Sequence, residues 1–120
     1  MKVLVVEDNP ASLELAEHLL EDAGFEVDTL SDGNGLVAHV LRTCPDVIVL
    51  DIQLPGADGL TLVAALREEP ATARIPVIAF TAHAMKGDEA RYLAAGCSSY
   101  LAKPIDVGTF AARVGAVAAG

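Results

Sequence analysis

Basic residues are scarce in this 120-residue chain: 8 Lys and Arg stand against 17 Asp and Glu, for a formal net charge of −9. A nucleic-acid-binding surface needs a basic face, so the charge argues against direct binding to DNA or RNA. The acidic balance favours solubility and suits a basic partner or a cation. Cysteine is nearly absent. Cys44 and Cys97 lack metal-site spacing and lie in apolar contexts, so both are expected as reduced, buried thiols of a cytoplasmic protein. No apolar run approaches the roughly 18 residues of a membrane span. The N-terminal run Val3–Val6 is too short for the core of an export signal and passes directly into acids. Repeats, low-complexity tracts and linkers are also missing.

What remains is a single domain, residues 1–120, of 52% apolar and 21% charged composition, which excludes intrinsic disorder. The chain alternates short apolar runs with helical stripes. Val3–Val6 reads as a strand. Asn9 and Pro10 then start a helix bearing Leu13, Ala16, Leu20 and Ala23, stopped by Gly24. A strand over 25–30 precedes a helical stripe of Leu36, Val37, Val40, Leu41 and Cys44, ended by Pro45. The stretches 46–51 and 76–81 each carry four consecutive apolar residues, as strands buried on both faces do. Leu54-Pro55-Gly56 is a loop, and Asp58 opens a helix with Leu62, Val63 and Leu66. A weak helix from Met85 to Ala95, a strand from Ser99 to Ala102, and a last helix capped by Asp106 with Val107, Phe110, Val114 and Val117 on one face complete the pattern.

Five strands alternating with five helices predict an α/β fold. It is one (βα)5 doubly wound domain around a five-stranded parallel sheet, and the size suits the flavodoxin-like strand order 2-1-3-4-5. Ligands of such sheets bind beyond the carboxyl ends of the strands, near the switch in strand order. The first strand ends in Glu7-Asp8, the third in Asp51, the fourth in Thr81, and the fifth leads to Lys103. Taken singly, each has a plainer reading: an acidic capping turn, a strand-end turn residue, a β-branched strand residue, a solvated lysine. Taken together they place three carboxylates, a hydroxyl and an ammonium on one edge of the sheet.

Asp51 follows four apolar residues, and a partly buried carboxylate beside two others needs its charge offset. Mg2+ does this, since it takes one or two carboxylates, keeps several waters and accepts phosphate oxygens. The set lacks a nucleophile–histidine pair and suits phosphoryl transfer onto a carboxylate.

On the motifs Val3-Leu-Val-Val-Glu7-Asp8-Asn9, Asp46-Val-Ile-Val-Leu-Asp51, Leu54-Pro55-Gly56-Ala57-Asp58-Gly59, Ile75-Pro76-Val77-Ile78-Ala79-Phe80-Thr81-Ala82 and Tyr100-Leu101-Ala102-Lys103-Pro104, the chain resembles a response regulator receiver domain of bacterial two-component signalling. The resemblance runs from Lys2 to about Val117. It implies Asp51 as phosphoryl acceptor and Asp8 and Asp51 as Mg2+ ligands, with Glu7 helping through water and the Gln53 backbone carbonyl completing the protein set. It further implies Thr81 as switch hydroxyl, Tyr100 as switch aromatic, Lys103 on the phosphoryl group, and a cis Lys103–Pro104 peptide. Gly59 is expected to serve a close backbone approach. The stretch Phe80–Asp88 resembles stand-alone cell-cycle regulators and hybrid-kinase receivers. Gln53 and His83 then border the attacking water and tune the lifetime of the phosphoryl group. His18 and His39 are expected on helix surfaces away from the site.

The implied partners are a histidine kinase or histidine phosphotransfer protein upstream, and a target at the face of helix 4, strand 5 and helix 5 downstream. The expectation is a cytoplasmic signalling protein, not an enzyme, that touches neither membrane nor nucleic acid. A monomer with phosphorylation-linked dimerisation is anticipated. A stand-alone regulator fits best, with a receiver from a larger protein as the alternative. Two rivals share the fold. An aspartate-nucleophile phosphatase wants a second aspartate two residues after the first, where Gln53 stands. A flavin carrier wants a hydroxyl- and glycine-rich phosphate loop, where Glu7-Asp8 stands.

Overall fold

The structure, a computed structural model, describes residues 1–82 and 87–119, and at Ala57 the backbone alone. The five strands of the main sheet are β1 (Lys2–Val6), β2 (Glu26–Leu30), β3 (Val47–Asp51), β4 (Val77–Thr81) and β5 (Ser99–Ala102). The helices are α1 (Pro10–Asp22), α2 (Leu36–Thr43), α3 (Gly59–Glu68), α4 (Asp88–Ala94) and α5 (Phe110–Ala119). All strand pairs in this sheet are parallel, in the order 2-1-3-4-5. Gln53–Leu54 and Ala57–Asp58 form a separate two-residue antiparallel ladder that flanks the Pro55-Gly56 turn of the expected Leu54–Gly56 loop.

The uninterrupted apolar runs of β1, β3 and β4 have a direct cause. Alternate side chains of each strand feed two cores. Leu4, Val6, Ile48, Leu50, Val77 and Ala79 pack with Leu36 and Val40 of α2, Val63 and Leu66 of α3, and Tyr92 of α4. Val3, Val5, Val47, Val49, Ile78 and Phe80 pack on the other face with Ala16 and Leu20 of α1 and Phe110 and Val114 of α5. Each fully buried Val, Leu or Ile contributes about 1.5–3 kcal/mol. Register fixes how far each strand reaches: Val6 lies opposite Leu50, and Asp51 opposite Phe80.

The caps at Asn9 and Asp58 are formed as expected: Asn9 Oδ1 accepts from Ser12 N–H at 3.1 Å, and Asp58 Oδ1 from Leu60 N–H at 3.0 Å. Several expectations need correction. Cys44 is exposed, because it closes α2 in left-handed backbone (φ 48°) ahead of Pro45 and so leaves the helical stripe. Cys97 is buried as expected, and burial pushes its thiol up to about 11. Leu41 is also exposed. His39 is not a plain surface residue: it is half-buried and its Nε2 is hydrogen-bonded to Asp28 on β2. His18 is exposed, as expected.

Asp106 does not cap α5 directly. Its side chain accepts from Gly108 N–H at 3.0 Å and its carbonyl from Thr109 and Phe110, making a turn that delays the helix to Phe110 and leaves Val107 62% exposed. Among the described residues α4 begins at Asp88, after Gly87 in left-handed backbone (φ 99°). Met85 and Lys86, expected in that helix, lie outside the described residues. No helix among the described residues is long and apolar enough to cross a membrane.

Candidate functional site

The carboxyl ends of β1 and β3 deliver the acids. Glu7 N–H continues the sheet by donating to Leu30 O at 3.0 Å, which draws its side chain under the edge until it is fully buried. Asp8, the next residue, is exposed. Asp51 ends β3 and is 2% exposed; Ile52 N–H donates to Phe80 O at 3.1 Å and carries the pairing one residue further. One carboxylate oxygen from each of Glu7, Asp8 and Asp51 lies within 4.8 Å of the others. Asp51 Oδ1 accepts from Gln53 N–H at 2.8 Å, and Glu7 Oε1 accepts from Asn9 N–H at 3.2 Å.

Lys103 supplies the opposing charge. Its N–H donates to Thr81 O at 2.8 Å, anchoring it past the end of β5, and the Lys103–Pro104 peptide is cis. Its Nζ donates to Glu7 Oε2 at 2.8 Å, Glu7 Oε1 at 3.0 Å and Asp51 Oδ2 at 3.1 Å, and lies 4.9 Å from the Phe80 ring centroid.

The charges in this pocket are shared unequally. Burial, reinforced by Asp51 and opposed by Lys103, holds the Glu7 carboxyl above its ordinary range. Burial acts the same way on Asp51, but the Gln53 N–H, the hydrogen bond with Glu7, and Lys103 together outweigh it and pull Asp51 below its ordinary range. Burial works against the charged Lys103 too, yet its bonds to Glu7 and Asp51 raise its pKa. The donor set of hard oxygens fits Mg2+: three carboxylates, one of them open to solvent where a cation keeps its waters.

Gly59 stands where no side chain fits. A Cβ there would lie 2.5 Å from Ile52 Cα and 2.8 Å from Ile52 O. Gly59 N–H donates to Ile52 O at 2.9 Å, so α3 locks onto the backbone just after Asp51. Gln53 is exposed, Thr81 is buried, and Tyr100 is half-buried against the core shared with α2, α3 and α4. His83 lies outside the described residues.

Sequence reasoning missed one side chain of the neighbourhood. Tyr92 of α4 is fully buried, and its hydroxyl donates to Thr81 Oγ1 at 3.3 Å. The only sequence signal for it is a phenol in a helical stripe, whose polar tip needs a partner when buried.

The profile of the response regulator receiver domain family matches residues 3–115. The polar-differentiation response regulator DivK of Brucella anthropi is 44% identical over 110 residues, covering 90% of this chain and 88% of DivK. The response regulator PleD of Caulobacter vibrioides is 41% identical over 113 residues, or 94% of this chain but 25% of PleD. Among solved structures, the receiver domain of sensor histidine kinase PA1611 from Pseudomonas aeruginosa, with a magnesium ion coordinated in its active-site cleft, superposes with a TM-score of 0.88. It is 33% identical and covers 99% of this chain and 98% of that one.

The chain belongs to the response regulator receiver domain family of two-component signalling. It spans about a quarter of PleD and most of DivK.

Proposed function

We propose that the chain, as a single receiver domain over 1–120, takes a phosphoryl group onto Asp51 from a phosphohistidine of a histidine kinase or histidine phosphotransfer protein. The observation that carries this reading is the Lys103 ammonium bonded to both Glu7 and Asp51, within a cluster of three carboxylates. Asp51 attacks in line: its Oδ–P bond forms, the N–P bond of the donor imidazole breaks, and the electron pair stays on that ring nitrogen. Lys103 steadies the transferring oxygens. Glu7, Asp8, Asp51 and the Gln53 carbonyl are the residues to hold Mg2+, which supplies charge neutralisation between carboxylate and phosphoryl group.

Thr81 then donates to a phosphoryl oxygen, Tyr100 turns toward the space it leaves, and the surface of α4, β5 and α5 changes for a downstream partner. Coupling of this kind is typically about 1–3 kcal/mol, enough to shift a population without changing the fold. Gln53 and His83 at the rim set how fast water removes the group.

The protein works in the cytoplasm as a monomer that dimerises, if at all, on phosphorylation. Its net charge of −9 suits a protein partner better than nucleic acid. The near-complete coverage of DivK supports a stand-alone regulator, while the matches to PleD and to a kinase receiver support the same domain inside a longer protein. The test is labelled acetyl phosphate with Mg2+: uptake falls at least about 100-fold, to background, in Asp51→Asn and after chelation with EDTA. Uptake by Asp51→Asn at the wild-type level contradicts the reading.

A further inference from the structure

Among the described residues Tyr92 is the largest fully buried side chain, and its hydroxyl meets the one residue of β4 that the proposed function makes a switch. A phenol withdrawn from water needs a hydrogen-bond partner, and Thr81 Oγ1 accepts from it. At 3.3 Å the bond is longer than the roughly 2.7–2.8 Å usual for O–H···O, so it is weak enough to open. Arg91 also approaches this hydroxyl. Its Nη2 is 3.5 Å from the Tyr92 oxygen and its guanidinium lies 5.2 Å from the ring centroid. Arg91 is 59% exposed and pairs with Asp88 at 3.8 Å. A surface cation, a buried phenol and the Thr81 hydroxyl are therefore in successive contact.

We infer that Tyr92 is a positioning residue that latches Thr81 to α4 before phosphorylation. The inference rests on the proposal that Thr81 turns to a phosphoryl group on Asp51. To make that turn, Thr81 gives up the Tyr92 hydrogen bond. The bond thus favours the resting state and opposes the switched one. It also couples α4 to Thr81 directly, by a route separate from Tyr100 on β5. Arg91 extends the route to the surface that a partner touches.

The test titrates the full chain with beryllium fluoride and Mg2+, beryllium fluoride standing for the phosphoryl group on Asp51. Thr81 and α4 resonances are followed by NMR in wild type, Tyr92→Phe, Thr81→Ala and the double variant. One neutral hydrogen bond shifts such an equilibrium about two- to tenfold. Tyr92→Phe, which keeps the ring, is expected to reach the switched state at about two- to tenfold lower beryllium fluoride than wild type. In the Thr81→Ala background the same substitution moves the midpoint less than about twofold, because the Tyr92–Thr81 bond is already gone.

In wild type, the Tyr92 ring-carbon resonance is expected to move in step with Thr81, a readout that requires no variant to fold. An unmoved Tyr92 resonance, an equal midpoint in Tyr92→Phe, or the same shift with Thr81 absent overturns the latch alone. A wild type that ignores beryllium fluoride, or an Asp51→Asn that responds to it equally, overturns the phosphoacceptor reading and the latch with it.

Discussion

Lys103 brings one positive charge to two buried carboxylates, so full ionisation leaves the pocket with a negative surplus before Asp8 is counted. The molecule answers by splitting the two acids, with Glu7 raised and Asp51 lowered. The folded chain therefore binds the Glu7 proton more tightly than the unfolded chain does. Glu7's contribution to stability is complete below its ordinary value of 4.5 and is lost as pH rises through its raised value. Asp51 runs the other way: its contribution holds above its ordinary 3.8 and is lost as pH falls through its lowered value.

Without metal, the urea midpoint of wild type is therefore expected to fall relative to Glu7→Gln as pH rises from about 4.5 toward neutrality. Parallel pH profiles contradict the assignment. At this scale Glu7, Asp8, Asp51, Thr81 and Lys103 were legible in the sequence because each stands at or just past the end of a strand's apolar run. The contacts Tyr92–Thr81 and His39–Asp28 were not, because each depends on how a helix lies against a neighbouring strand.

At the scale of elements, β3 and α3 meet backbone to backbone at Gly59. The obstructing atoms there, Ile52 Cα and O, belong to the chain segment that leaves Asp51 and cannot swing aside as a side-chain tip would. Gly59→Ala is expected to destabilise the domain by about 3 kcal/mol. Thermal melting then occurs roughly 10 °C lower. A loss under about 1 kcal/mol shows that the α3 start is less tightly held than its geometry indicates.

The apolar runs of β1, β3 and β4, and the Asn9 and Asp58 caps, announce their elements because each signal is local. The start of α5 was misplaced because Asp106 satisfies its side chain in a turn, a use of aspartate that sequence alone does not separate from a helix cap. Cys44 was misplaced for a related reason. The helical period continues through it on paper, while the backbone reverses hand there to reach β3.

For the molecule as a whole, the parallel order 2-1-3-4-5 makes β1 and β3 neighbours at the centre, so residues 44 positions apart in sequence, Glu7 and Asp51, share one lysine. Packing both faces of the sheet keeps charge out of the two cores, and the acids, Thr81 and Lys103 gather at its carboxyl edge. The strand order was legible from size and alternation, and the gathering of the acids followed from it.

The proposed acceptor role of Asp51 rests on this gathering of acids. The most direct measurement treats the chain with acetyl phosphate and Mg2+, traps the acyl phosphate by borohydride reduction, and maps the altered residue by mass spectrometry. A single modified position is expected, Asp51, and it disappears when Mg2+ is withheld. Modification at Glu7, Asp8 or a histidine instead, with Asp51 intact, contradicts it.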